Sequence, residues 1–318
     1  MARLINTIED FKKHLTISAS FDVKLVLPYA KRAERKFIIS QIGHDQYVAI
    51  CNHTLVEDSN LPIDRVKLLL EEAAANYALL IGFDFINIQV TNSGAKKTSN
   101  ANSENADWKE IRDLKRMLSS TANEALDDAL EIMEDYPGFF LDWSSSPLFT
   151  LFNSMIVSQT KHFQDHWDIQ KNRKTFKALV PHMVEVEDQF LKPLLGTCTL
   201  DFIKQASSNQ YVLEVQLLAR KAIVALTISK VCITGTFSVT SSSLVVSSEV
   251  MPWEKSNLEL SEEKLDRLHK DRLNAGQEYL KQIKEIVKSN PAVFTCYEDK
   301  ESTGLTGKII RKKSHMFL

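Results

Sequence analysis

The sequence predicts a mainly α protein made of two tandem repeats of a helical-bundle module, each with a short β segment (strand or hairpin) before its last long helix. Three observations predict it. First, residues 22–43, DVKLVLPYAKRAERKFIISQIG, return at 175–196 as TFKALVPHMVEVEDQFLKPLLG. A constant shift of 153 residues lays Pro28 on Pro181, Glu34 on Glu187, Phe37 on Phe190 and Gly43 on Gly196. A repeat of this length sets the architecture before any local reading. Second, both halves continue with an alanine-rich helical run, a β-like segment and a long amphipathic helix. There a shift of 154 aligns Glu124 with Glu278, Glu131 with Glu285, Pro137 with Pro291 and Phe140 with Phe294. Third, only nine glycines occur in 318 residues, which suits helices with few tight turns. The expected organisation is a first module at 1–146, a second at 147–297 and a C-terminal tail at 298–318.

Taken in order, Thr7 with Asp10 three residues later predicts a capped first helix. Leu4-Ile5-Asn6-Thr7 resembles Leu151-Phe152-Asn153-Ser154, with six further residues in the second half before the shared proline. Asp22 opens the next helix, whose apolar face is Val26, Ala30, Ala33, Phe37 and Ile38, and Gly43 supplies a left-handed C-cap. The charged run Lys31-Arg32, Glu34-Arg35-Lys36 reads as its solvated side. Asp64 caps an amphipathic helix from Arg65 that is thinned by alanines. After Gly82, alternation at Ile86, Ile88 and Val90 predicts a strand, and 95–106 a loop. Asp107 and Glu110 begin the longest helix. Its seam is Ile111, Leu118, Ala125 and Ile132 with Ala122, Ala129 and Tyr136, and Pro137 ends it. In the second half, 234–249 is rich in Ser, Thr and Val and reads as a hairpin or one long strand. A charged helix then spans about 261–289, and the tail carries Ile309-Ile310 and Arg311-Lys312-Lys313.

Composition excludes several classes. No apolar run approaches the roughly 20 residues of a membrane span, and MARLINTIEDF lacks the apolar core of a signal peptide. A formal charge of −2 gives no global basicity. Cys51, Cys198, Cys232 and Cys296 form no CxxC pair and read as thiols of a reducing compartment.

Few motifs carry chemistry. His162 and His166 are four apart in HFQDHWD, a spacing that can hold zinc on a helix. Without HExxH or a third ligand they read as solvated or partner-facing. Gly304, Gly307 and Lys308 lack the spacing of a phosphate loop. No GxSxG occurs. Asp127-Asp128 and Glu134-Asp135 read as a solvated face, with a basic partner as the alternative. Phe139, Phe140 and Trp143 read as packing the repeat junction or as a partner anchor. The expectation is a protein with no catalytic residues, no cofactor and no metal.

The order of Leu4-Ile5-Asn6, Arg32, Glu34, Gly43, Ala74, Val90, Gly94 and Trp108, with the strand IQVTNSGAKK, resembles an uncharacterised structural family of tailed phages of gut Bacteroidetes, including crAss-like phages. In arrangement it is also similar to phage head–tail connector (adaptor, neck-ring) proteins. That resemblance implies a non-enzymatic virion protein of the neck or tail region, present in host cytoplasm during assembly. It implies a homo-oligomeric ring of about a dozen subunits that joins the portal to neighbouring tail proteins and touches passing DNA without reading sequence. The alternative is a head-completion or DNA-contacting assembly factor. Expected partner-binding residues are Ile88, Val90, Phe237, Val239, Val245 and Val246, through strand addition, and Ile309, Ile310, Arg311, Lys312 and Lys313 in the tail.

Overall fold

The computed structural model describes residues 3–17, 23–56, 60–91, 94–97, 107–234, 237–239, 244–246 and 260–299, and they are mainly α-helical. Asp22, the loop at 98–106 and the tail residues Ile309 to Lys313 lie outside the described residues. Among the described residues, no helix is long and apolar enough to cross a membrane.

Thr7 caps α1 (Ile8–His14) through a reciprocal pair: its Oγ1 accepts from the Asp10 N–H, and the Asp10 carboxylate accepts from the Thr7 N–H. In α2 (Leu27–Ala33), Pro28 stands in the first turn, where a missing N–H costs nothing. The helix widens into a π turn at Glu34–Ile39 and closes with α3 (Ser40–Ile42). Gly43 is not the left-handed cap that the sequence suggests. Its φ of 82° and ψ of 164° form an extended positive-φ state essentially open only to glycine, and α4 (His44–Asn52) begins at once.

α5 (Pro62–Asn87) starts before Asp64, so Asp64 does not cap it. Its buried carboxylate instead sits 2.6 Å from His53 Nε2. α5 also continues through Gly82, so Ile86 is helical rather than extended. Packing overrides propensity here, because a Cβ at Gly82 would stand 2.8 Å from the Tyr29 ring. β1 (Ile88–Thr91) then pairs antiparallel with β2 (Gly94–Lys97), Ile88 opposite Lys97.

α6 (Trp108–Asp135) opens on the Asp107–Glu110 capping box. It runs antiparallel to α5: Ile132 lies beside Leu69, Asn123 accepts from the Tyr77 hydroxyl, and Lys115 lies over the Phe83 ring. Leu118, Ala122, Ala125, Ala129 and Ile132 are buried as the seam requires. Tyr136 is not: the helix ends at Asp135, and Tyr136 is 49% exposed. Phe140 and Trp143, the latter in α7 (Leu141–Ser144), belong to the first half's core, and Trp143 also packs the junction, its ring edge-on to Phe149 at 4.7 Å. The Trp143 N–H donates to Gln46 Oε1 of α4. Ser146 then caps α8 (Pro147–Asn153).

The second half follows the same order. α9 (Thr160–Gln164), α10 (Arg173–Val186), a π turn at Glu187–Leu191, α11 (Lys192–Lys204), α12 (Gln210–Val231), the antiparallel pair β3 (Phe237–Val239) and β4 (Leu244–Val246), and α13 (Glu262–Ser289) surround a second core. Gly196 breaks α11 with φ 74° and ψ 158°, matching Gly43. π turns are rare, yet one begins at Glu34 and another at Glu187.

Both glutamates are buried, against the expectation of a solvated run at Glu34. Glu34 Oε1 accepts the Ile5 N–H at 3.2 Å, and Glu187 Oε1 accepts the Ile156 N–H at 2.8 Å. Ile5 therefore corresponds to Ile156, and Leu4–Thr7 does not correspond to 151–154. Ile5 and Ile156 stand 151 residues apart, and the buried Phe11 and Phe163 stand 152 apart, one residue from that register. The register follows the buried hydrogen bond and not the likeness of letters.

The cysteine expectation is also corrected. Cys198 of α11 and Cys296 form a disulfide across a separation of 98 residues, while Cys51 and Cys232 are free. Burial pushes both free thiols up to about 11.

Candidate functional site

The two halves meet on the acidic face of α6. Asp127, Glu131 and Glu134 are spaced four and three apart, so they share one side of the helix, with Asp128 and Asp135 flanking. Asp128, Glu131 and Asp135 keep 43%, 38% and 44% of their side chains exposed, but Asp127 and Glu134 are not part of a solvated face. Asp127 is 6% exposed, and the Glu134 side chain is as deeply covered. The second half supplies the cations. Arg173, at the start of α10, pairs with Glu134 and donates to Thr160 Oγ1 at 2.8 Å. Its guanidinium also lies over the rings of Phe152 and Phe176, at 4.8 and 5.3 Å. Lys161 bridges Glu131 and Asp135 at 2.9 and 3.4 Å, and Lys171 meets Asp128 at 3.0 Å. Lys177 donates to the Ser40 carbonyl.

Five carboxylates thus face three cations. Burial pushes the Asp127 carboxyl up to about 6 and that of Glu134 up to about 7, and Arg173 opposes both shifts without cancelling them. On α13 the positions of Asp127 and Glu134 are taken by Lys281 and Lys288, both exposed. The acidic junction is therefore particular to the first half's helix. Sequence reasoning missed Lys161, Lys171 and Arg173. Their signal was a cluster of cations in 161–174 set against a run of acids in 127–135.

Beside the junction, α5 and α6 enclose an open groove of about 560 Å³ lined by Arg65, Leu68, Leu69, Asp128, Glu131, Ile132, Asp135 and Tyr136. Phe139 and Leu141 follow Tyr136 and are 49% and 70% exposed.

His162 and His166 do not share a helical face, because α9 ends at Gln164. His162 Nδ1 lies 3.3 Å from Ser158 Oγ, and burial with the charges of Arg220 and Lys161 pushes its imidazole down to about 3. A metal ion there would meet those same charges. Among the described residues, no group of three or more His, Cys, Asp or Glu is disposed to hold a metal.

Of the expected partner residues, Ile88 and Val90 lie in β1, Val239 in β3, and Val245 and Val246 in β4. Phe237 is 7% exposed, with the His182 ring edge-on at 5.9 Å, so its side chain belongs to the second core. β4 is tied down by the Leu244 N–H, which donates to the Asp168 carbonyl.

No curated protein and no solved structure shows a significant match to the chain. One family model matches twice, over residues 41–151 and 191–306. These spans hold corresponding elements: each runs from about the end of the π turn, through the positive-φ glycine, to the end of the long closing helix and beyond. Together they cover well over half of the sequence, and the chain belongs to the family described as Family of unknown function (DUF6712).

Proposed function

We propose that the protein is a non-catalytic structural component of a tailed-phage virion, in which two diverged copies of one module act as a single unit. In this reading the copies are 1–146 and 147–297, and subunits stand side by side as a head–tail connector ring of about a dozen chains under the portal. The observation that carries it is the exposed apolar set: Tyr136, Phe139 and Leu141 in the first half, and Leu213 and Leu217, one turn apart on α12, in the second. Exposed apolar clusters on a folded chain mark contact with other proteins. The resemblance of the strand and helix order to phage neck proteins supplies the setting. The hairpins β1–β2 and β3–β4 offer backbone edges for strand addition between neighbours.

The test is assembly. The purified chain is mixed with the portal of its own phage and followed by sedimentation and electron microscopy. A closed ring on the portal is the expected product. A chain that stays monomeric and never binds portal sinks the reading.

A further inference from the structure

We propose that the groove between α5 and α6 is the dock for this chain's own C-terminal segment Ile309-Ile310-Arg311-Lys312-Lys313. The groove has an apolar floor of Leu68, Leu69 and Ile132, and Leu68 is 46% exposed there. Its α6 rim carries Asp128, Glu131 and Asp135, and Arg65 stands on the α5 side. Lys161 and Lys171 reach the rim acids from the second half, Lys161 shared between Glu131 and Asp135 and Lys171 on Asp128, so three acids on that edge meet two lysines. The site is therefore apolar below and short of positive charge along one edge.

The segment has the complementary order, two isoleucines followed directly by three cations. The isoleucines suit the floor, where burying apolar area stabilises the contact. The cations suit the rim, where partial burial strengthens each charge pair. Ile309 stands ten positions beyond Asp299, a maximum extended reach of about 33 to 36 Å. The second half does not offer the same seat. There Asp128, Ile132, Asp135 and Tyr136 are replaced by Gln282, Ile286, Ser289 and Asn290, so most of the acids are gone. The dock does not require the ring, because the arm can come from the same chain or from a neighbour.

The experiment uses the full chain with the photo-crosslinker p-benzoylphenylalanine in place of Leu68, an exposed position whose change leaves the core intact. Irradiation followed by peptide mapping should join position 68 to residues 305–313. The cross-link should be lost in the Ile309→Asp, Ile310→Asp double variant, and it should weaken in high salt. The same probe at Leu217, an exposed leucine of α12, should not capture the arm. Capture of another segment, no capture, or capture untouched by the isoleucine changes overturns the proposal. Product mass separates this from the ring: a dimer-mass product puts the arm in a neighbour, as a ring would use it. A monomer-mass product keeps the dock while removing the arm as a link between subunits.

Discussion

The Arg173 guanidinium lies between Glu134, Thr160 and two aromatic rings, and it is 3% exposed. Removing it leaves Glu134 buried without its ion-pair partner and Asp127 without the nearby positive charge. Breaking one side of a buried pair in this way costs about 3–5 kcal/mol. Arg173→Ala should therefore lower urea stability by that order at pH 8, where both acids are ionised. Arg173→Met combined with Glu134→Leu should recover most of it, since apolar pairs of similar volume replace buried ion pairs with little loss. If the single variant were as stable as the parent, the junction would not hold the halves together. The basic stretch around Arg173 was legible in the sequence, but its burial was not, because that depends on Glu134, 39 positions upstream. Glu34 and Glu187 were legible as a repeated pair, yet their burial was not. It depends on the N–H groups of Ile5 and Ile156, about 30 positions upstream, reaching each carboxylate.

At the scale of elements, the repeated unit is a helix that widens into a π turn and then breaks at a positive-φ glycine. Gly43 and Gly196 hold nearly the same strained dihedrals, and a Cβ at either would meet nothing within 4 Å. The cost of a side chain there is then purely backbone strain. Gly43→Ala and Gly196→Ala should each destabilise by about 1–3 kcal/mol. Gly138→Ala is the control: its Cβ also meets nothing, and its φ is not positive, so it should be near neutral. Equal effects at all three positions in thermal melts would refute the backbone argument. The shared glycine was found from the sequence alone, since two glycines at a constant shift stand out where glycine is scarce. The capping boxes of α1 and α6 and the end of α6 before Pro137 were legible too, because caps are local chemistry. The run of α5 past Gly82 and the Cys198–Cys296 bridge were not. Both depend on a partner far away in the chain, the Tyr29 ring in one case and the second cysteine in the other.

At the scale of the molecule, the two halves are joined by charge, and that makes their union sensitive to protons. In the folded chain the carboxyls of Asp127 and Glu134 are raised to about 6 and about 7, from ordinary values of 3.8 and 4.5. Burial is the leading cause, and the shift of Glu34 is upward for the same reason. A group raised on folding binds its proton more tightly in the folded state than in the unfolded one. Between about pH 4 and pH 7 these acids therefore hold more protons in the folded chain, and their contribution to stability falls as pH rises through that window. Above it the slope flattens. The lowered groups act in the opposite sense: Asp10 at more acid pH, and the partly buried imidazoles of His162, His166 and His182 within the same window. The share of stability that Asp127 and Glu134 supply should thus be larger at pH 5.5 than at pH 8, by on the order of 2 kcal/mol, since each tenfold gain in proton affinity on folding is worth about 1.4 kcal/mol, and it is read as the difference in urea stability between the parent and Glu134→Gln at the two pH values. Glu134→Gln should remove most of this slope, because an amide keeps the shape and takes up no proton. Gln at the exposed Glu285, the matching site of Glu131 on α13, should leave it unchanged. A pH dependence indifferent to Glu134→Gln would show that the junction acids are paired and ionised throughout. The coupling of the halves would then not depend on protonation.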